Sequence, residues 1–113
     1  MRHFFWTVLF VVMGTLASAH SPLASVEPAD GVTLAAAPEA LNLTFRTDIR
    51  LTRLSVAHDD GDEINLDMGD QTDFTTVYDI PFQDLGAGSY VVTWRGLSKD
   101  GHVQVGTYGF TVQ

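Results

Sequence analysis

The sequence lacks cysteine altogether, so no disulfide bond can hold its fold together. A domain of about a hundred residues can bury a sufficient core without such cross-links. Basic residues are scarce as well, because six Lys and Arg face fourteen Asp and Glu and leave a net charge of −8. Such a balance repels nucleic acid and anionic lipid, which argues against both as partners. It is compatible with a bound cation, and also with nothing more than solubility.

Long hydrophobic runs are absent except at the start of the chain. There, an apolar run from Phe4 to Met13 follows Arg2, and Ala17-Ser18-Ala19 has the form that signal peptidase cleaves. The run is short for a membrane span, and a lone Arg2 does not support a twin-arginine signal. We therefore expect residues 1–19 to be a cleaved signal peptide of the general secretory route. Residues 20–113 should form one periplasmic domain that is not inserted in the membrane. Loss of Arg2 takes the net charge from −8 to −9.

Sustained helical periodicity is also missing, and short stretches in which apolar and polar residues alternate take its place. Turn signals such as Pro28-Ala29-Asp30-Gly31 and Asp59-Asp60-Gly61 separate these stretches. The pattern predicts an all-β protein, an antiparallel β-sandwich. We expect about seven strands, near residues 21–26, 41–45, 51–58, 64–68, 75–80, 89–97 and 103–112.

The strand predicted at 89–97 carries the clearest alternation. Tyr90, Val92 and Trp94 share one face, which we expect to lie in the core. Tyr90 and Trp94 could also form a ligand-stacking face, but core packing is the commoner use of such residues. Arg95 lies on the opposite face, either as an ordinary surface residue or as a group that orients a carboxylate near a metal.

Histidines are few, and two of them suggest a metal site. Cleavage after Ala19 would leave His20 with a free α-amine, and this nitrogen and the ring Nδ1 can chelate one metal ion. An imidazole from His102 and a carboxylate from Asp100 would complete a set of three nitrogens and one oxygen. Alternate residues of an extended turn can point the same way, so the spacing of this pair suits the role. Tetragonal coordination of this kind favours Cu(II).

Each of these features also has an ordinary explanation. An Asp-Gly turn with an exposed histidine beside it is common in hairpins, and any residue can follow a cleavage site. The hypothesis of a copper site therefore depends on the conjunction of His20 with Asp100 and His102. His58 could be an accessory ligand. The acidic run that follows it lacks the spacing of a calcium loop, however, and is more typical of an exposed hairpin end.

The chain as a whole resembles the CopC-like periplasmic copper-binding domains over residues 20–113. His20 follows an Ala-x-Ala site, and the other matching segments occur in order: Pro28-Ala29-Asp30-Gly31, Ala37-Pro38, Leu41-Asn42-Leu43-Thr44-Phe45, Leu85 to Arg95, Ser98-Lys99-Asp100-Gly101-His102, Gly106 and Phe110. Some members carry a methionine-rich segment, whereas Met68 is the one methionine here beyond the predicted leader. Some members have a glutamate where this chain has Thr47 and Asp48, so a role for Asp48 stays open.

The resemblance implies a Greek-key β-sandwich, immunoglobulin-like or cupredoxin-like, that binds Cu(II) through His20, Asp100 and His102. It also implies a role in copper resistance, buffering or delivery, often beside an inner-membrane partner of the CopD type, and it implies no catalysis. A dedicated Cu(I) site is not expected, because soft thioether ligands are missing.

Two other functions stay open on the sequence alone. A terminal histidine that clasps copper is similar to the site of the lytic polysaccharide monooxygenases. This chain is short for that family, however, and shows no flat aromatic patch for a glycan. A metal-free, immunoglobulin-like interaction module would carry the same histidines incidentally. A blue-copper electron carrier is excluded because the sequence has no thiolate ligand.

Overall fold

The computed structural model describes residues 22–70 and 72–113, which form seven β-strands joined by turns. The strands, in chain order, are β1 (Leu23–Glu27), β2 (Thr33–Leu34), β3 (Ala40–His58), β4 (Ile64–Asn65), β5 (Thr75–Pro81), β6 (Gly88–Ser98) and β7 (Val103–Val112). No helix in this part of the chain could cross a lipid bilayer. The predicted signal peptide and His20 lie outside the described residues.

The strands pair in the order β1-β3-β6-β7-β2, and β4 and β5 also pair with β3. Every pair is antiparallel except β2 with β7, which run parallel. The predicted all-β sandwich of about seven strands is confirmed. The parallel pair is an addition that the sequence pattern did not indicate, because β2 is only two residues long.

β3 is one continuous strand of 19 residues, where the sequence predicted separate strands at 41–45 and 51–58. Its first half pairs with β1 and β5, and its second half, from Ile49 onward, pairs with β6. The polar segment 46–48 resembles a turn in the sequence, but it stays extended and marks the place where β3 changes partners. The register against β5 shifts there, between Thr44 and Ile49. β3 therefore connects the two layers of the sandwich.

β4 covers only two of the residues predicted at 64–68. Leu66 still donates its N–H to the carbonyl oxygen of Leu54, at 2.8 Å. The side chain of Asp67 then accepts the N–H of Gly69 at 2.9 Å, and this local turn takes the chain away from β3. The hydrogen bond between the Asp67 side chain and the nearby backbone therefore ends the pairing with β3 earlier than the sequence predicted.

The core lies on the face of β6 that the alternation predicted. Tyr90, Val92 and Trp94 are each at most 1% exposed. The Trp94 indole packs directly on Gly106 of β7, where an added Cβ would lie 2.5 Å from Nε1. Residue 106 is therefore glycine because of a close approach, and Trp94 belongs to the core rather than to a ligand-stacking face.

The hydroxyl group of Tyr78, on β5, holds β3 at the place where it changes partners. The backbone of Tyr78 pairs with Leu43 in the first half of β3. Its hydroxyl donates to the carbonyl oxygen of Ile49 at 2.5 Å and accepts the N–H of Leu51 at 3.0 Å, both in the second half. Tyr78 is 3% exposed, so these bonds lie inside the core. One side chain thus ties the two halves of the longest strand together.

We expect Tyr78→Phe to lower the free energy of unfolding by about 1–3 kcal/mol, because it leaves buried backbone groups without their partner. Tyr108→Phe is the matched control. The Tyr108 hydroxyl is buried and has no hydrogen-bond partner among the described residues. Its removal should therefore change the free energy of unfolding by less than about 1 kcal/mol. Denaturant unfolding measures both values, and equal stability of the two variants would contradict the role assigned to Tyr78.

Candidate metal centre

The turn between β6 and β7 carries two of the three predicted ligands, Asp100 and His102. Two backbone hydrogen bonds close it: Gly101 donates to the carbonyl oxygen of Ser98, and Ser98 donates to that of His102, both at 3.0 Å. Gly101 has a φ of 88°, in the left-handed region that favours glycine. The Asp-Gly dipeptide therefore forms a compact turn that holds residues 100 and 102 on the same side.

The side chains of Asp100 and His102 contact each other within this turn. Oδ2 of Asp100 lies 2.8 Å from Nδ1 of His102, and Oδ1 accepts the backbone N–H of His102 at 3.3 Å. The Ser98 hydroxyl donates to the same Oδ1. The side chain of Asp100 is 67% exposed and that of His102 is 79% exposed. An ion can therefore reach both groups directly from solvent.

The local hydrogen bonds favour the charged form of the Asp100 carboxylate. Bonds from the Ser98 hydroxyl and then from His102 lower the pKa of Asp100 from 3.8 to about 2. Aspartate is ionised at neutral pH even with its ordinary pKa, and the lowered pKa keeps Asp100 in the form that a metal ligand requires at more acidic pH as well. The sequence pattern does not by itself predict a role for Ser98. Serine and aspartate side chains that are close in the sequence often form local hydrogen bonds, however, and this tendency is the signal that favours a contact between Ser98 and Asp100.

The pair supplies one imidazole and one carboxylate, a donor set that fits a divalent ion of the Cu(II) type. Within residues 22–70 and 72–113, no group of three His, Cys, Asp or Glu side chains is placed to hold a metal. The third predicted ligand, His20, lies outside this range. The described residues thus bring together two of the three predicted ligands, and the set is complete only with a further donor.

The start of β1 lies near the same turn. The carbonyl oxygen of Pro22 accepts the N–H of Arg46 at 2.7 Å. Two residues further along β3, Oδ2 of Asp48 lies 2.9 Å from Nζ of Lys99, which directly precedes Asp100. Two residues of extended strand span about 7 Å. The first described residue is therefore close to the candidate site, and Asp48 contributes an ion pair beside it.

His58, the other histidine considered as a ligand, lies at the opposite end of the sandwich. It pairs with Tyr90, eight residues before Ser98 on β6, a distance of about 26 Å along the strand. Its ring stacks on that of Tyr90 with centroids 4.6 Å apart, and Nε2 donates to the carbonyl oxygen of Ala87 at 2.8 Å. His58 therefore packs at the far hairpin and is too distant to assist the Asp100 turn.

Comparison with known proteins finds one family that the chain is similar to. The family model of the CopC domain matches residues 23–113. CopC from Methylosinus trichosporium OB3b is 31% identical with a TM-score of 0.70, over 83% of this chain and 94% of that one. PcoC, a methionine-rich copper resistance protein from Escherichia coli, is 31% identical with a TM-score of 0.59, over 84% of this chain and 100% of that one. A search of curated proteins gave no match.

Removal of the Ser98 hydroxyl should release the Asp100 carboxyl from its strongest hydrogen bond. We expect Ser98→Ala to raise the pKa of Asp100 from about 2 toward the ordinary value of 3.8. An NMR titration of the Asp100 side-chain carbon measures this shift. Ser25→Ala, which removes an exposed hydroxyl on β1, is the control and should leave the pKa of Asp100 unchanged. The same pKa in wild type and Ser98→Ala would refute the assignment.

Proposed function

The chain belongs to the CopC domain family, and from this premise we propose that it is a periplasmic copper-binding protein that holds Cu(II) through His20, Asp100 and His102. The observation that carries the proposal is the position of the Asp100–His102 pair. An ionised carboxylate and an exposed imidazole stand together at the end of the sandwich where β1 begins. Cleavage after Ala19 would deliver the remaining ligands to this end.

The length of chain before Pro22 agrees with such a site. Because β1 and β3 run antiparallel, a chain extended backward from Pro22 heads toward Asp48. His20 is two residues away, a span of at most about 7 Å. Asp48 in turn contacts Lys99, the residue before Asp100. These contacts favour a centre shared between the mature N-terminus and the β6–β7 turn.

The chemistry of the four donors selects the ion. The α-amine and Nδ1 of His20 close a six-membered chelate ring, so covalent structure preorganises two nitrogens. The imidazole of His102 adds a third nitrogen, and Asp100 adds a carboxylate oxygen. A tetragonal set of nitrogen and oxygen donors favours Cu(II), which also has the highest affinity among the divalent first-row ions. Protons compete for the amine and the imidazoles, so affinity should fall as the pH is lowered.

Copper is the cargo of this protein in our proposal rather than a catalytic cofactor. The E. coli relative is a copper resistance protein, which favours resistance, buffering or delivery over an oxygen-activating enzyme. A CopD-type membrane protein is the proposed partner that exchanges the ion. Unlike its methionine-rich relative, this chain has only Met68 beyond residue 19, and Met68 packs against the core. The cargo is therefore Cu(II) and not Cu(I).

The free α-amine of His20 is the first test of the proposal. Protein that begins at His20 should bind Cu(II) more than about a hundredfold more tightly than the same protein with one alanine in front. Even groups outside the coordination shell are worth about 10- to 100-fold in metal affinity, and the amine would be a direct ligand. Competition against a Cu(II) chelator gives both affinities. Equal, weak binding by the two proteins would favour the metal-free interaction module instead.

The turn is tested separately, with the N-terminus left intact. We expect His102→Ala to weaken Cu(II) binding by more than about a hundredfold, since it removes a direct ligand. The fold should be unaffected, because the His102 side chain is 79% exposed. His58→Ala is the matched control, since it removes the other described histidine and should leave the affinity as in wild type. Unchanged affinity of the His102→Ala protein in the same chelator competition would rule out the turn as part of the site.

A further inference from the structure

One edge of β7 is open over most of its length. On one side, β7 pairs with β6 without interruption from Val103 to Val112. On the other side, β2 pairs only with Thr111 and Val112. Within the described part of the chain, no strand covers residues 103–108 on that side. The sheet therefore ends there with backbone groups that have no neighbouring strand.

The backbone groups that face the open edge belong to the odd-numbered residues. Gly109 donates its N–H to the Asp30 side chain, and Thr111 donates to the carbonyl oxygen of Val32, both at 2.9 Å and both on the side of β2. Successive residues of a strand point their N–H and C=O groups to opposite sides. The N–H and C=O groups of Val103, Val105 and Thr107 therefore point out of the sheet.

This edge lacks the features by which proteins usually prevent strands from adding to a sheet. Such features are proline, lysine, a β-bulge or a very short edge strand. Residues 103–107 read Val-Gln-Val-Gly-Thr, and their register against β6 is regular throughout. The side chains of Val103 and Val105 are 54% and 63% exposed. A long, regular and apolar edge of this kind is a template for another strand.

We propose that the edge of β7 at residues 103–107 is a docking site for an extended, acidic segment of a partner protein. The segment adds to the sheet as an eighth strand and takes up the free backbone groups of Val103, Val105 and Thr107. Recognition through the main chain supplies the affinity, and alternate side chains of the segment supply the specificity.

Charge identifies the kind of segment that fits. Arg95 of β6 lies directly opposite Val105, on the exposed face of the sheet. Arg53 and Lys99 form ion pairs with Glu63 and Asp48, whereas Arg95 has no acidic partner among the described residues. The sequence-based alternative, in which Arg95 orients a carboxylate near a metal, stays a prediction.

An added strand would lie two strand spacings, about 10 Å, from β6, and the long side chain of Arg95 extends toward it across Val105. Acidic residues on that face of the segment would therefore complement Arg95. A second copy of this chain fits less well, because residues 103–107 carry no carboxylate to offer Arg95.

The docking site begins one residue after His102. A partner bound there would lie beside the candidate copper centre, and in this respect the inference rests on the proposed function. Docking by itself does not depend on copper. It is therefore tested on copper-free protein, so a failure of docking and a failure of copper binding can be told apart.

The probes are two capped synthetic heptapeptides with alternating valine and glutamate, or alternating valine and lysine. They are added to ¹⁵N-labelled protein that begins at His20, at an ionic strength of about 0.15 M, which screens the net negative charge of the protein beyond about 8 Å and leaves the local contact with Arg95 to set the preference. We expect the acidic peptide to slow hydrogen exchange at the amides of Val103, Val105 and Thr107 and to shift their resonances. It should bind at least about tenfold more tightly than the basic peptide, because charge complementarity sets the preference.

Three variants separate docking from simple charge attraction. Val105→Pro removes one edge N–H and should abolish binding, while an edge position tolerates proline without loss of the fold. Val105→Thr keeps the N–H and should bind as wild type does. Arg95→Glu changes only an exposed side chain and should reverse the preference between the two peptides.

Several outcomes would overturn the proposal. One is the absence of protection at the three amides with either peptide, and another is equal binding of the Val105→Pro and Val105→Thr proteins. Protection of the three amides in the free protein would mean that its own chain covers the edge. If that protection instead grew with protein concentration as a dimer formed, the occupant would be a second copy.

Discussion

The fold depends on how β3 passes from one layer of the sandwich to the other. A strand that changes partners leaves backbone groups exposed to the core, and these groups need new hydrogen bonds. The Tyr78 hydroxyl provides them at Ile49 and Leu51. Because this one strand pairs with β1 before the change and with β6 after it, its path determines how the start of the domain is placed against the β6–β7 turn. The position of the candidate site is thus a consequence of the core.

The candidate centre combines a local element with a distant one. Asp100 and His102 are brought together by five residues of turn, whose hydrogen bonds also lower the pKa of the Asp100 carboxyl group. In our proposal the mature N-terminus joins them from the other end of the sequence, since the described chain begins beside β3, where β1 pairs with it. A turn alone offers two donors to an ion, which is too few for tight binding. In our proposal, export completes the set of copper ligands, because cleavage of the leader creates the free α-amine with which His20 forms a chelate ring.

The sequence predicted the parts of this protein that depend on local alternation. The buried face of β6 and the limits of β7 follow from a period of two, and the Asp100–His102 pair follows from its spacing in a turn. The continuity of β3 could not be predicted, because the polar segment 46–48 looks like a turn until its partner strands are known. The open edge of β7 could not be predicted either, because it depends on how far the distant strand β2 pairs along β7. Neither feature is encoded by neighbouring residues.

The burial of Trp94 against Gly106 has an optical consequence. After removal of the predicted leader, which contains the other tryptophan, Trp94 is the sole indole of the domain. It is 1% exposed and four residues, about 13 Å, from the end of β6 at Ser98. The tryptophan fluorescence of the domain therefore comes from one buried side chain. A loss of emission intensity without a shift of the emission maximum would indicate a quencher near the turn. A red shift of the emission maximum would indicate that water enters between β6 and β7.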